Sequence, residues 1–388
     1  MVASHGFLPF IHFAKTTRKF KRDINAFATK TRPLAYAGHL DSLIFRNYNI
    51  HLSRSYESHI SGRRLEHSVL AYRRFQPPKC NIHFANDAFR FVEQNSPCVA
   101  LAFDIEDFFE SLDHSLLKCQ WKQVIGEAEL PPDQYAVFKA ITKYAKVSRQ
   151  EAFLALKVSN RKQESWQGPM CSPAQYRSLI RPLIEVNDKG FGIPQGSGIS
   201  ALLANIYMMP VDVAMSDLAT SIGGLYFRYS DDILIVCDSA NSQMMQDRLR
   251  QRIAAVKLKL HSGPGKFNES TFDYDANGKL RSSKPLQYLG FSFDGQCASI
   301  RSQTFVRYLR KMKKAVRREG YLANVESKKT GTRKVRKKLL YSRYSHLGKN
   351  NFITYTQNAE AVFGDLGGKI RNQAKRHWKA LHAMLSLE

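Results

Sequence analysis

The chain has 388 residues, 43% of them hydrophobic, with a mean hydropathy of −0.38. That supports a large core in two or three lobes, and no run is long enough to span a bilayer. A net charge of +26, from 59 basic and 33 acidic residues, favours a polyanionic partner, nucleic acid before an anionic membrane.

The start, Met1–Phe13, is apolar but short, has no basic leader and is broken by Pro9 and His12, so it does not read as a signal peptide. Residues 34–75 carry apolar and aromatic positions at three- and four-residue intervals, a helical pattern. It ends on Leu70–Ala71–Tyr72–Arg73–Arg74–Phe75 and is broken by Pro77–Pro78. The six cysteines (80, 98, 119, 171, 237 and 297) include no Cys-x-x-Cys pair. Cys80, His83 and Cys98 are too few to make a zinc site. Reduced thiols in a cytoplasmic protein are the better reading.

A six-residue apolar run, Cys98–Phe103, ends abruptly on Asp104. It reads as a buried strand delivering an acid at its end, where rigid structure could hold a metal ligand. Residues 115–187 look mostly helical, with interruptions at Pro131–Pro132 and near Gln167–Gly168–Pro169. Gly192–Ile193–Pro194–Gln195–Gly196–Ser197–Gly198 forces a tight loop, and Ala201–Tyr207 continues as a helix. Then comes Tyr226–Val236, with Asp231 and Asp232 between two apolar, β-prone runs. That pattern is a hairpin with both acids at its tip. Asp is common in solvated turns, but two like charges at a rigid turn are costly unless a cation sits there, and Mg²⁺ prefers such oxygen ligands. Residues 301–388 contribute +17 of the net charge. Apolar positions recur among these bases, as in helices with one basic face. Such a face could be merely solvated, but a bound phosphate backbone would relieve its self-repulsion.

Taken together, these segments resemble the reverse transcriptases of bacteria. Asp104 with Phe108–Phe109 resembles the first palm motif. The Gly-Ile-Pro-Gln-Gly-Ser loop resembles the motif that closes over the incoming nucleotide. Tyr229–Ser230–Asp231–Asp232 resembles the Tyr-x-Asp-Asp box. Val256–Lys266 is similar to the segment ending in a lysine near the triphosphate, and Leu286–Phe291 to the hairpin that grips the primer. The matches occur in the family's order over roughly residues 70–295. His39–Ile44 and Ala71–Arg73 look most like the stand-alone "unknown group" enzymes of antiphage defence. The retron hallmarks Asn-Ala-x-x-His and Val-Thr-Gly are absent. So is any recognisable maturation domain, endonuclease or RNase H segment.

The resemblance implies an α+β right-hand polymerase with fingers, an antiparallel palm and a helical thumb. Residues 1–97 would form the N-terminal region and fingers, 98–298 the palm with a fingers insertion at about 115–190, and 299–388 the basic thumb. It implies two Mg²⁺ ions on Asp104, Asp231 and Asp232, with the Ile105 carbonyl as a further ligand and Asp232 as the less direct member. Phe109 would block a 2′-hydroxyl, although a core role for it is also open. Gln195, Gly196 and Tyr229 would contact the nucleotide. Arg73 or Arg74 would contact the triphosphate, and Lys266, with His261 as a competitor, the pyrophosphate. Arg307, Arg310, Lys311, Lys314, Arg333, Lys334, Arg336 and Lys337 would hold nucleic acid. The implied partners are an RNA template, its cDNA product and deoxynucleoside triphosphates. An untemplated polymerase, a retron-type or group II intron-type enzyme, and a non-catalytic RNA-binding scaffold remain alternatives.

Overall fold

The computed structural model describes residues 2–21, 26–63, 65–158, 169–262 and 267–386. The chain is an α+β protein. It opens with two long antiparallel strands, β1 (Phe10–Lys21) and β2 (Ala26–Tyr36). Helices α1 (His39–Ser61) and α2 (Asn81–Gln94) follow. The cis Gln76–Pro77 peptide lies between them, where the sequence breaks its helical pattern.

The organising element is strand β3 (Cys98–Asp104). A five-stranded antiparallel sheet runs β6–β7–β3–β8–β9, with β6 (Leu225–Tyr229), β7 (Asp232–Cys237), β8 (Asn268–Tyr274) and β9 (Leu280–Ser282). Both faces of this sheet are covered, which explains the unbroken apolar runs in β3 and β7. Alternate residues Val99, Leu101, Phe103, Ile233 and Ile235 pack with helices α3 (His114–Ile125), α7 (Ser200–Ser221) and α8 (Ser242–Ala255). The intervening Cys98, Ala100, Leu234 and Val236 face α2 and a three-stranded sheet. That sheet is formed by β10 (Leu286–Tyr288), β11 (Phe291–Phe293) and β12 (Ala298–Ile300). Ile233 to Val236 are all at most 1% exposed, and each such side chain stabilises the fold by roughly 1.5–3 kcal/mol on burial. Helix α7 is buried almost all round, as expected of a helix with no polar face.

Between β3 and α7 lie α4 (Pro132–Thr142), β4 (Ala145–Ser148), α5 (Arg149–Ala155), the single turn α6 (Pro173–Gln175) and β5 (Glu185–Val186). Strand β4 pairs with β1 in parallel and with β5 antiparallel, so this insertion folds onto the N-terminal strands. Gln167 and Gly168 lie outside the described residues. After β12 come the 29-residue α9 (Ser302–Thr330), α10 (Lys337–Tyr344), α11 (Phe352–Phe363), α12 (Gly368–Lys375) and α13 (His377–Leu385). Tyr308, Met312 and Val316 of α9 pack with Leu340, Ile353 and Leu381 from three of the others. Among the described residues no helix is long and apolar enough to cross a membrane.

The strands β1 and β2 are a departure from the sequence reading, which saw only a short apolar start. Cys80 also has a structural role. Its backbone amide donates to His83 Nδ1 at 3.1 Å, capping α2, while Cys98 is buried in β3. All six cysteines are free.

Candidate active site

The hairpin β6–β7 closes on the pair Tyr229↔Asp232, leaving Ser230 and Asp231 as a two-residue turn. Ser230 has φ +62°, a conformation that strains a residue with a side chain. Two contacts hold it there. Its hydroxyl meets the Tyr72 hydroxyl at 3.0 Å, and its carbonyl accepts from the Arg228 guanidinium at 3.1 Å.

Register decides what the turn meets. Strand β3 pairs with β7 from Val99↔Cys237 to Asp104↔Asp232. The 127 residues separating Asp104 from Asp231 are thereby closed, and two acids sit directly opposite across the ladder. Opposed residues of this kind have Cβ atoms roughly 4.5–5.5 Å apart, and like charges there repel. The Ile105 amide donates to the Asp231 carbonyl at 3.2 Å, and the His261 amide to the Asp104 carbonyl at 2.8 Å. The ladder thus fixes the backbone on both sides of Asp104 and makes no use of the Ile105 carbonyl.

Asp232 is exposed to solvent, yet neighbouring protein atoms crowd its carboxyl. That crowding, and next the negative charge of Asp231, raise its pKa to about 6, with Arg301 acting in the opposite direction. All the donors here are oxygens, which suits Mg²⁺. The acids do not form a closed cage on their own. Among the described residues no three His, Cys, Asp or Glu side chains already converge on one point, consistent with carboxylates repelling one another.

The nucleotide-loop candidates are brought to the same end of the sheet. The Ile193 amide donates to the Phe109 carbonyl, and the Gly192 amide to the Leu112 carbonyl, both at 2.8 Å. Gly192 and Gly196 have φ +85° and +116°, and a Cβ on either would come within 2.9 Å of a backbone oxygen, that of Glu110 or Ala35. Only glycine fits both the angle and the approach. The Gln195 carbonyl accepts from the Ala35 amide at 2.9 Å, so β2 docks on this loop. Phe108 is buried at 4% exposure while Phe109 is half-buried at the edge of the core, which leaves Phe109 a ring edge to present.

Of the two arginine candidates, Arg73 is taken. Its guanidinium forks onto Glu57 and donates to the carbonyls of Glu66 and Val69, at 2.6–3.1 Å. Arg74 is exposed. Lys266 lies outside the described residues.

A cavity of about 330 Å³ opens beside Asp232, lined in part by Asn81, Tyr229, Gln287, Tyr288 and Arg301. The β10–β11 hairpin therefore stands against the acids. Its turn, Leu289–Gly290, has positive φ at both positions, the tight geometry that favours a two-residue hairpin. The Tyr288 hydroxyl is buried without a hydrogen-bond partner among the described residues. Burial, then the charges of Asp232 and Tyr229, push its pKa well above the usual value.

Sequence reasoning missed the polar core beneath the turn. Arg228 and Asp212 are both fully buried and pair with two bonds of 2.7 Å. Asn205 accepts from Arg228 at 3.1 Å and donates to the Ala71 carbonyl at 2.9 Å. The signal was present: Asn205 and Asp212 interrupt an otherwise apolar helix, and Arg228 an apolar strand. Arg301 falls in the basic 301–388 segment but was not singled out, because nothing local marks it as standing beside Asp232. On α9, Arg307, Arg310, Lys311 and Lys314 are exposed opposite the buried stripe. Lys334 and Lys337 are exposed too. Arg333 donates to Asn324 at 2.6 Å. Arg336 is bound to Glu319 by two bonds of 2.7–3.0 Å, which removes it from the freely presented bases.

No model of a known protein family matches the chain, and no curated protein matches its sequence. Loose structural likenesses exist. Apo telomerase from Candida tropicalis is 12% identical, with 96% of this chain and 59% of that chain covered and a TM-score of 0.41. Telomerase from Candida tropicalis in complex with a TWJ fragment of telomeric RNA gives 14%, 99%, 63% and 0.41. The Candida albicans telomerase complex with the same kind of fragment gives 11%, 98%, 66% and 0.39. The chain spans less than two thirds of the length of these structures, and likeness at this level carries no functional argument.

Proposed function

We propose that the protein is an RNA-directed DNA polymerase. The observation that carries this reading is the register that sets Asp104 against Asp232 with Asp231 on the adjoining turn, at the same end of the sheet as the glycine loop. In this reading the five-stranded sheet is the palm, the β1–β5 region belongs to the fingers, and α9–α13 form the thumb.

Asp104, Asp231 and Asp232, with the Ile105 carbonyl, would hold two Mg²⁺ ions. Bound there, the metals would activate the attacking 3′-oxygen and stabilise the departing pyrophosphate. The protein's own contribution is positioning and charge. The Phe109 ring lies under the sugar and excludes a 2′-hydroxyl by size. The Gln195 amide orients the sugar and phosphates, Gly196 lets the backbone approach, and Tyr229 walls the site. Arg74 takes the triphosphate contact that Arg73 is not free to make, and Lys266 meets the pyrophosphate. Exposed bases of α9 and the segment after it follow the template–product backbone.

The template in this reading is a non-coding RNA associated with the enzyme. A role in antiphage defence rests on the resemblance of His39–Ile44 and Ala71–Arg73 alone. The test is to sequence RNA and DNA co-purified from cells carrying wild type or Asp231→Asn. One discrete RNA in both, with complementary DNA only in the wild type, is the expected result. DNA without complementary RNA would replace the proposal with untemplated synthesis. Phage plating efficiency with the two alleles tests the defence role, and equal plating would remove it.

A further inference from the structure

The β1–β2 ribbon has an unusual construction. Its strands are paired over eleven positions, from Ile11↔Tyr36 to Lys21↔Ala26, a span of roughly 33 Å at ~3.3 Å per residue. Strand β4 pairs with β1 at Phe10, Ile11 and His12. Beyond that root, among the described residues, β1 and β2 are paired only with each other, and a lone two-stranded ribbon is marginal in water.

Its two sides are not alike. Period-two alternation puts positions 11, 13 and 15 of β1 on one side with 32, 34 and 36 of β2. At the root of this side Phe13 and Tyr36 are in ring contact, centroids 4.9 Å apart, and Tyr36 is 54% exposed. One step outward, Lys15 and Arg32 stand directly opposite each other, both exposed. Facing like charges destabilise a ladder. Over the same span the other side carries no Lys or Arg: positions 12, 14, 16 and 31, 33, 35 are His12, Ala14, Thr16, Thr31, Pro33 and Ala35. Aromatic rings followed by a pair of cations suit a nucleic-acid single strand, rings for stacked bases and cations for the backbone.

Position selects the strand. The ribbon is rooted on the nucleotide loop through the Ala35–Gln195 bond, whereas Arg301, the residue before the basic α9, lines the cavity beside Asp232 together with the β10–β11 hairpin. If the glycine loop closes over the incoming nucleotide, template just beyond it is still uncopied and single-stranded. We infer that the Phe13–Tyr36 and Lys15–Arg32 side of the ribbon is a platform for single-stranded template RNA ahead of the site. This rests on the polymerase reading for the identity of the strand.

The test uses the full chain and a labelled, unstructured single-stranded RNA of mixed sequence, titrated without nucleotides at several salt concentrations. Tyr36→Ala should weaken binding roughly tenfold, while Tyr36→Phe keeps it. The double variant Lys15→Gln/Arg32→Gln should lower the slope of log affinity against log salt by about 1.4, two backbone contacts at ~0.7 each. A fold defect would not produce that slope change, and removing two facing like charges should not weaken the ribbon. Unchanged affinity and slope would overturn the inference. So would a loss confined to double-stranded RNA or to DNA. Primer extension is measured on the same proteins. Failure of primer extension in every protein, with the ribbon effects intact, would therefore sink the polymerase reading and leave the RNA platform standing.

Discussion

Asp232 is costly where it stands. Its pKa is raised from 3.8 to about 6, so the folded state binds a proton more tightly than the unfolded chain does. Stability from this group is therefore fully present below about pH 4 and lost as pH rises through about 6. Because the exposed carboxyl is screened by solvent, the expected outcome is that Asp232→Asn melts slightly higher than wild type at pH 8 in EDTA, and that the gap closes by pH 4. Thermal melts of both proteins across that range check it. A gap that does not change with pH would mean the carboxylate is not the source. Phe109 offers a second test at this scale. Its half-buried ring makes Phe109→Ala a modest stability change. If the ring guards the sugar site, the variant should incorporate ribonucleotides at a rate at least tenfold closer to that of deoxynucleotides, measured in paired primer extensions. Unchanged discrimination would return Phe109 to the core.

The hairpin depends on what lies beneath it. Arg228 clamps the Ser230 carbonyl while its own charge is met by Asp212, and both side chains have no exposure. Removing one partner leaves a buried charge unmatched, at a cost of about 3–5 kcal/mol. Asp212→Ala should therefore show that loss in denaturant unfolding. Replacing the pair together, Arg228→Met with Asp212→Leu, should recover most of the stability. It should not recover extension, because the turn carrying Asp231 has lost its clamp. If the double variant extends primers like wild type, the ion pair supports the fold and not the turn. At this scale the sequence was easy to read where one element contains its own reason. The apolar run ending at Asp104 became β3, the Asp231–Asp232 segment a hairpin, and Leu286–Phe291 a hairpin with a tight turn. It was hard to read where the reason lay elsewhere. Arg73 and Arg74 are adjacent and chemically alike, and only the fork onto Glu57 separates them.

Across the whole molecule, the charge is divided unevenly. Helix α9 buries Tyr308, Met312 and Val316 and turns its bases outward, so most of the positive charge of the last 88 residues is unmatched by acids of that segment. RNA binding should fall steeply with salt, roughly a hundredfold or more between 50 and 200 mM if six or so phosphates are neutralised. Fluorescence titrations at stepped salt measure this, and a flat response would remove the basic helices from the interface. The sequence by itself determined the apolar strands, the tight glycine loop, the two acids on a turn and the excess of bases, because each follows from local pattern and backbone chemistry. Only the tertiary structure decided that Asp104 lies across from Asp232, that Arg73 is spent on Glu57, and that the N-terminal strands dock on the Gln195 loop. Those facts depend on β-sheet register and on partners distant in the chain, which no local pattern encodes.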